Sequence, residues 1–220
     1  VDLGETKVLE IWKKEIKRGV GKKRAQELVE VASRSVGSKE ALKMGVKELH
    51  YLINEYDVYV MQLDEIKTEM ESLLKQVPGA KEALKIKGMG LVTVAGILAE
   101  IGDISRFQDA RQIQKYAGLN LVETSSGNHK GETTISKRGR KRLRMMLFRV
   151  MLPIVANNAE FKQLHNYYTS RKENPLKKKQ SLILLCCKLI RILYAMLTKG
   201  VEYDGDRLMK DIRRPQEQAA

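Results

Sequence analysis

From Val46 onward, apolar residues recur at alternating spacings of three and four: Val46, Leu49, Ile53, Tyr56, Val60 and Leu63, then, past Lys67, Met70, Leu74 and Val77. That rhythm lays one apolar seam along a helix. Sustained over more than four heptads, it predicts a coiled coil rather than an ordinary surface helix. At 1.5 Å per residue the seam would run about 48 Å. Lys67 is the one departure, and a charge at a seam position costs stability while fixing register or partner number. An antiparallel partner from the same chain would satisfy the seam equally well. Pro78-Gly79 ends the helix.

Two shorter helices are expected before the seam. Ile11, Trp12 and Ile16 give the first an apolar edge, Gly19 and Gly21 break it, and Ala25, Leu28, Val29 and Ala32 resume it before the Gly37-Ser38 turn. After the seam comes Ile86-Lys87-Gly88-Met89-Gly90, followed by Leu91, Val94, Ala95 and Leu98 on one helical face. A hydrophobe and Gly-x-Gly opening a helix is the helix-hairpin-helix pattern, in which backbone N–H groups can meet a phosphate. Gly88 and Gly90 are the candidate backbone donors, against the alternative of a plain helical hairpin. Asp109 can cap a helix that passes Ile113 and Tyr116 and stops at Gly118.

Charge is distributed unevenly. The chain carries 41 Lys/Arg and 27 Asp/Glu, net +14; residues 1–80 hold 14 of each sign, so the entire excess lies beyond residue 80. Such an asymmetry points to a nucleic-acid partner for the second part, and to a membrane surface less well, because the cations are not confined to one face of an amphipathic helix. The densest block is Ser136 to Arg144, six Lys/Arg in nine residues, among them Lys137, Arg138, Arg140, Lys141 and Arg142. Just upstream, a polar loop from Leu119 to Thr134 carries Ser125, Ser126, His129 and Lys130. A hydroxyl among arginines and lysines suits chemistry on a phosphodiester. Read from the residues alone, Ser126 fits a turn serine, in a loop that only grips a backbone, better than a nucleophile.

Other site chemistries find less support. Glu100, Asp103, Asp109 and Glu123 sit at element ends, where capping or surface roles suit them, and no spacing among them marks a metal site. His50, His129 and His165 are isolated, and His129 is of interest only for lying three residues beyond Ser126. Cys186 and Cys187 are adjacent in an apolar run and read as reduced core residues of an intracellular protein. No run reaches the roughly 18 apolar residues of a membrane span, and no signal peptide is evident, so a cytoplasmic location without a membrane partner is expected. The chain opens at Val1, without methionine, and is expected to be a piece of something longer.

A long helix is expected from about Ser136, with Leu143, Met146, Leu147, Val150 and Ile154 apolar and a bend at Pro153. An almost wholly apolar helix from about Ser181 to Leu197 would form the centre of the core. No stretch alternates convincingly as a strand, with short strands near Glu123 and Thr134 left open. The fold class is all-α: a coiled-coil or helical-hairpin arm, then a helical domain containing the helix-hairpin-helix.

From about Lys85 to Gly200 the chain resembles the C-terminal domain of the insertion-sequence-110 family of bacterial transposases (insertion sequence 110/116/902), a group that includes the pilin-gene invertases. The runs that carry the resemblance are Ile86–Gly90 with Ala99-Glu100-Ile101-Gly102-Asp103, Phe107-x-x-Ala110-Arg111-Gln112 and Tyr116-Ala117-Gly118-Leu119. They continue with Ser126-Gly127, Ile135–Gly139 with Leu143-Arg144, and Lys188–Tyr194. The stretch 21–37 and the heptads look like that family's linker and coiled coil. Lys87 and Leu121 stand where the family commonly has proline.

The resemblance implies that Ser126, with Ser125 as the alternative, is a nucleophile that forms a covalent phosphoserine bond to DNA. It implies a RuvC-like nuclease domain with acidic magnesium ligands that residues 1–40 do not resemble, so this chain would bind nucleic acid and not cut it alone. It also implies DNA as partner and, in some members, a guide RNA encoded by the element; the heptad seam itself points to a homodimer or higher oligomer through the coiled coil. The expected layout is a linker and coiled-coil arm over 1–79, the transposase domain over 80–200 and a frayed, flexible tail over 201–220. Two rival readings remain: a non-catalytic nucleic-acid-binding module, and an oligomerisation scaffold.

Overall fold

The computed structural model describes residues 3–15, 21–35, 42–123 and 133–217. Helices account for 75% of it, and the only strands among the described residues are two of three residues each. The all-α expectation holds. By its contacts the chain forms two compact units, residues 1–60 and 61–220.

In the first unit, α1 (Gly4–Glu15) packs on α2 (Lys22–Arg34), where Ala25 is fully buried. Next comes α3 (Leu42–Leu74), which carries the heptads and crosses into the second unit. Its 33 residues extend about 50 Å. The helix stops at Leu74, so Val77 lies outside it. From Val46 to Leu63 the seam side chains are 39–67% exposed, and Leu52, Tyr59, Ile66 and Leu73, seven residues apart, are exposed too. Lys67 pairs with Asp64 at 2.9 Å.

The second unit is built on α9 (Lys178–Lys199). Ser181, Leu182, Leu185, Cys186, Leu189, Ile190, Leu193 and Met196 are buried along it, and α4 (Ala80–Leu84), α6 (Ala110–Tyr116), α7 (Lys141–Asn157) and α8 (Ala159–Ser170) all pack on it. By length and composition α9 could cross a bilayer, but these side chains are the core of the unit. Removing one of them, as in Leu189→Ala, has a typical cost of about 2–5 kcal/mol. Cys186 donates its Sγ–H to the Leu147 carbonyl at 3.4 Å and is a free thiol, as expected.

Two expectations change. The segment after Val201 is not a patternless tail: α10 (Gly205–Glu217) packs on α8, with Leu208 and Met209 8% and 5% exposed. Together with Ile212, which also packs on the core, they form a narrow apolar face at i, i+1 and i+4 in an otherwise charged helix. In addition, α7 begins at Lys141 rather than near Ser136, for a reason found in the loop that precedes it.

Candidate nucleic-acid interface

The basic block is held by the end of α6. Asp109 caps that helix, its Oδ1 accepting from Gln112 N–H at 3.0 Å. The Gln114 side-chain amide donates to the Cys187 carbonyl at 3.0 Å, and Tyr194 Oη donates to the Phe107 and Gln108 carbonyls at 3.1 and 2.7 Å. These bonds fix α6 to the core helix. At its end Gly118 takes φ +69°, and a Cβ there would stand 2.7 Å from the Arg138 carbonyl oxygen. Only glycine allows both the left-handed turn and that approach.

From this corner the chain runs into β1 (Leu121–Glu123), which pairs antiparallel with β2 (Thr133–Ile135) in the register Leu121↔Ile135, Val122↔Thr134, Glu123↔Thr133. The left-open strands near Glu123 and Thr134 therefore form. Beyond β2 the pairing continues as single bonds. Ser136 N–H donates to the Asn120 carbonyl at 2.8 Å, Lys137 N–H to Gly118 at 3.0 Å, and Arg140 N–H to Tyr116 at 2.7 Å. Ser136 Oγ donates to Asn120 Oδ1 at 2.7 Å and the Arg144 guanidinium to the Ala117 carbonyl at 2.8 Å. These bonds explain the late start of α7. The donors of Ser136, Lys137 and Arg140 are committed to residues 116–120, and Lys137 and Gly139 adopt positive φ, so a helical ladder cannot begin before Lys141.

Ser125, Ser126, His129 and Lys130 fall in 124–132, outside the described residues. Lys137, Arg138, Arg140, Lys141 and Arg142 are described and exposed. Two of them share a partner that spacing did not single out. Glu100, in the last turn of α5 (Leu91–Ile101), is 12% exposed; its Oε2 lies 3.2 Å from Arg140 Nε and its Oε1 3.4 Å from Arg142 Nε. Arg140 also sits over the Tyr116 ring, 6.0 Å from its centroid. Glu100 lies forty residues before Arg140, so no local pattern joins them. Its place in the Ala99–Asp103 run was the available hint.

Of the remaining carboxylates, Asp103 and Asp109 are occupied locally. Asp103 accepts from the Ser105 N–H and hydroxyl at 2.9 and 2.8 Å, which hold its carboxyl below the usual range. Glu123 stands exposed on β1. Among the described residues no three His, Cys, Asp or Glu gather to hold a metal ion.

The two glycines of the hairpin differ. Gly88, at φ +99°, is pressed against α7, where an added Cβ would lie 2.6 Å from Ile154 Cα and 2.7 Å from the Pro153 carbonyl oxygen. Gly90 has ordinary extended dihedrals, caps α5 and faces open space. Of the pair, only Gly90 and the first turn of α5 open outward.

Residues 80–169, from the start of α4 into α8, match the model of the transposase IS116/IS110/IS902 family. Similarity extends beyond that stretch. A transposase for insertion sequence element IS1111A from Coxiella burnetii is 30% identical over 176 residues, covering 79% of this chain and 47% of the relative. Residues 80–169 carry a domain of the IS116/IS110/IS902 transposase family. A pilin gene-inverting protein from Moraxella bovis is 29% identical over 157 residues, 69% of this chain and 45% of that protein. A transposase for insertion sequence element IS1328 from Yersinia enterocolitica is 27% identical over 165 residues, 72% of the chain and 47% of the relative. The chain spans about half the length of the curated relatives it matches. Within the family segment lie the hairpin base, the basic block and Glu100; α9, which supports them, lies beyond it.

Proposed function

We propose that this chain is the DNA-binding, strand-transfer part of a transposase, with Ser126 as its nucleophile. The observation that carries the reading is the anchored hairpin: the segment with both serines leaves Glu123 and returns at Thr133, and the return strand enters the basic block at once. Lys137, Arg138, Arg140, Lys141 and Arg142 would hold phosphates of the DNA, and Lys130 would add to them from within the loop. Ser126 Oγ attacks phosphorus and gives up its proton to a base; an Oγ–P bond forms as one P–O bond of the strand breaks, and the departing oxygen takes up a proton. The ester energy is conserved, so a hydroxyl at another strand end can reverse the exchange. The magnesium that the resemblance implies would be held by residues other than those described, and no step is assigned to it. A homodimer or higher oligomer through α3, a guide RNA, and action on DNA in the bacterial cytoplasm belong to the same proposal.

A denaturing gel for a protein–DNA adduct tests it, run with the full-length protein. Ser126→Ala is expected to abolish the adduct while leaving DNA affinity within about 2-fold, since a neutral hydroxyl releases no counterion. Adducts that persist in Ser126→Ala but vanish in Ser125→Ala assign the role to Ser125. No adduct from the unaltered protein, with affinity controlled by Lys137, Arg138 and Arg140, leaves a binding module only.

A further inference from the structure

Arg140 and Arg142 both meet Glu100 through Nε, the inner edge of the guanidinium. Guanidinium is a planar fork of five N–H donors, so each arginine has donors besides Nε to offer another acceptor. Two cations on the two oxygens of one carboxylate stand side by side against their mutual repulsion. The Glu100 side chain is 12% exposed while the arginine side chains are 53% and 76% exposed, so the arrangement is rooted inside and open outside. Arg140 is seated a second time by the Tyr116 ring, and its own backbone N–H is bonded to the Tyr116 carbonyl.

We propose that Glu100 is a positioning residue, holding the Arg140 and Arg142 guanidiniums as a preorganised clamp for one backbone phosphate of DNA at the start of α7. The inference rests on the DNA-binding part of the proposed function. Paired guanidiniums match the two non-bridging oxygens of a phosphodiester, and side chains already ordered lose less freedom when they bind. Glu100 touches neither DNA nor the reacting atoms; it acts through the arginines.

Charge and position make opposite demands on Glu100→Gln. Removing a negative charge beside a DNA site would tighten binding if Glu100 served only to neutralise. If it positions the arginines, the amide accepts from one and turns its NH₂ on the other, and binding weakens. The 220-residue chain is titrated with a fluorescent DNA duplex between about 50 and 200 mM KCl. The expected result for Glu100→Gln is a log–log salt slope shallower by about 0.9, one phosphate's worth, which amounts to about 3-fold over that range. Arg142→Ala should cost about 3-fold in the unaltered chain and under about 2-fold in the Glu100→Gln background, because coupled residues are not additive. Glu100→Gln binding as tightly as the parent, or equal costs for Arg142→Ala in both backgrounds, overturns the proposal. Should Glu100→Gln unfold, Glu100→Asp, which keeps the charge on a shorter stem, makes the same comparison: a shallower slope supports the clamp and an unchanged one overturns it. A parent chain with no salt-dependent binding defeats the DNA-binding reading and the clamp with it. A parent that binds and is weakened by Arg142→Ala but not by Glu100→Gln defeats Glu100's role alone.

Discussion

Replacing Gly88 by alanine tests how closely the Gly88–Gly90 turn packs on α7. The backbone there has φ +99°, and the new methyl would lie 2.6 to 2.7 Å from Ile154 Cα, Ile154 N and the Pro153 carbonyl oxygen. All three are backbone atoms of α7, so no side chain can rotate aside. Holding an L-residue in that conformation costs about 1–3 kcal/mol, and overpacking adds about 1–3 kcal/mol more. Gly88→Ala should therefore lose roughly 2–6 kcal/mol, a fall of about 0.7–2 M in the urea midpoint at a slope near 3 kcal/mol per molar. Gly90→Ala is the internal control. Its dihedrals suit alanine and nothing lies within 4 Å of the added Cβ. A small loss at the cap is offset by reduced freedom of the unfolded chain, leaving a change within about 1 kcal/mol. Urea titration followed by far-ultraviolet circular dichroism reads both. A Gly88→Ala protein as stable as the parent would refute the close approach of the hairpin to α7.

Two further outcomes concern other parts of the chain. His165 Nδ1 lies 2.9 Å from Ser181 Oγ, and burial, then the Lys178 ammonium, hold its imidazole below the usual 6.5. A base harder to protonate when folded contributes its full stability above about pH 6.5 and loses it as pH falls toward the folded value. Melting at about pH 7.5 and pH 5.5 should therefore show a smaller acid-induced loss in His165→Gln than in the parent; an equal loss would refute the assignment. For α3, sedimentation over a range of concentrations should show association that Ile53→Lys with Leu63→Lys abolishes, and a parent that stays monomeric would end the oligomer reading.

Much of the fold was legible where structure is set locally. The heptads predicted α3, Asp109 and Gly118 marked the ends of α6, and the apolar run from Ser181 predicted the core helix. What escaped depends on partners far along the chain. The start of α7 is delayed by carbonyls of residues 116–120, which no helix propensity records. Leu208 and Met209 dock a helix whose sequence looks like a solvated tail. At the candidate site the cations stood out because they are contiguous, whereas Glu100 is visible only once α5 is placed beside the block. Gly88 and Gly90 share one motif, and only the backbone of α7 tells them apart.

The eleven residues of α5 make a rod about 16 Å long. Gly90 lies at its open end, and Glu100 with its two arginines lies at the other. A helix does not stretch, and one inserted residue would turn everything beyond it by about 100°, swinging Glu100 away from the basic block. The helix is thus a ruler: whatever meets the hairpin end and whatever meets the arginine pair must do so at one fixed separation and one fixed azimuth.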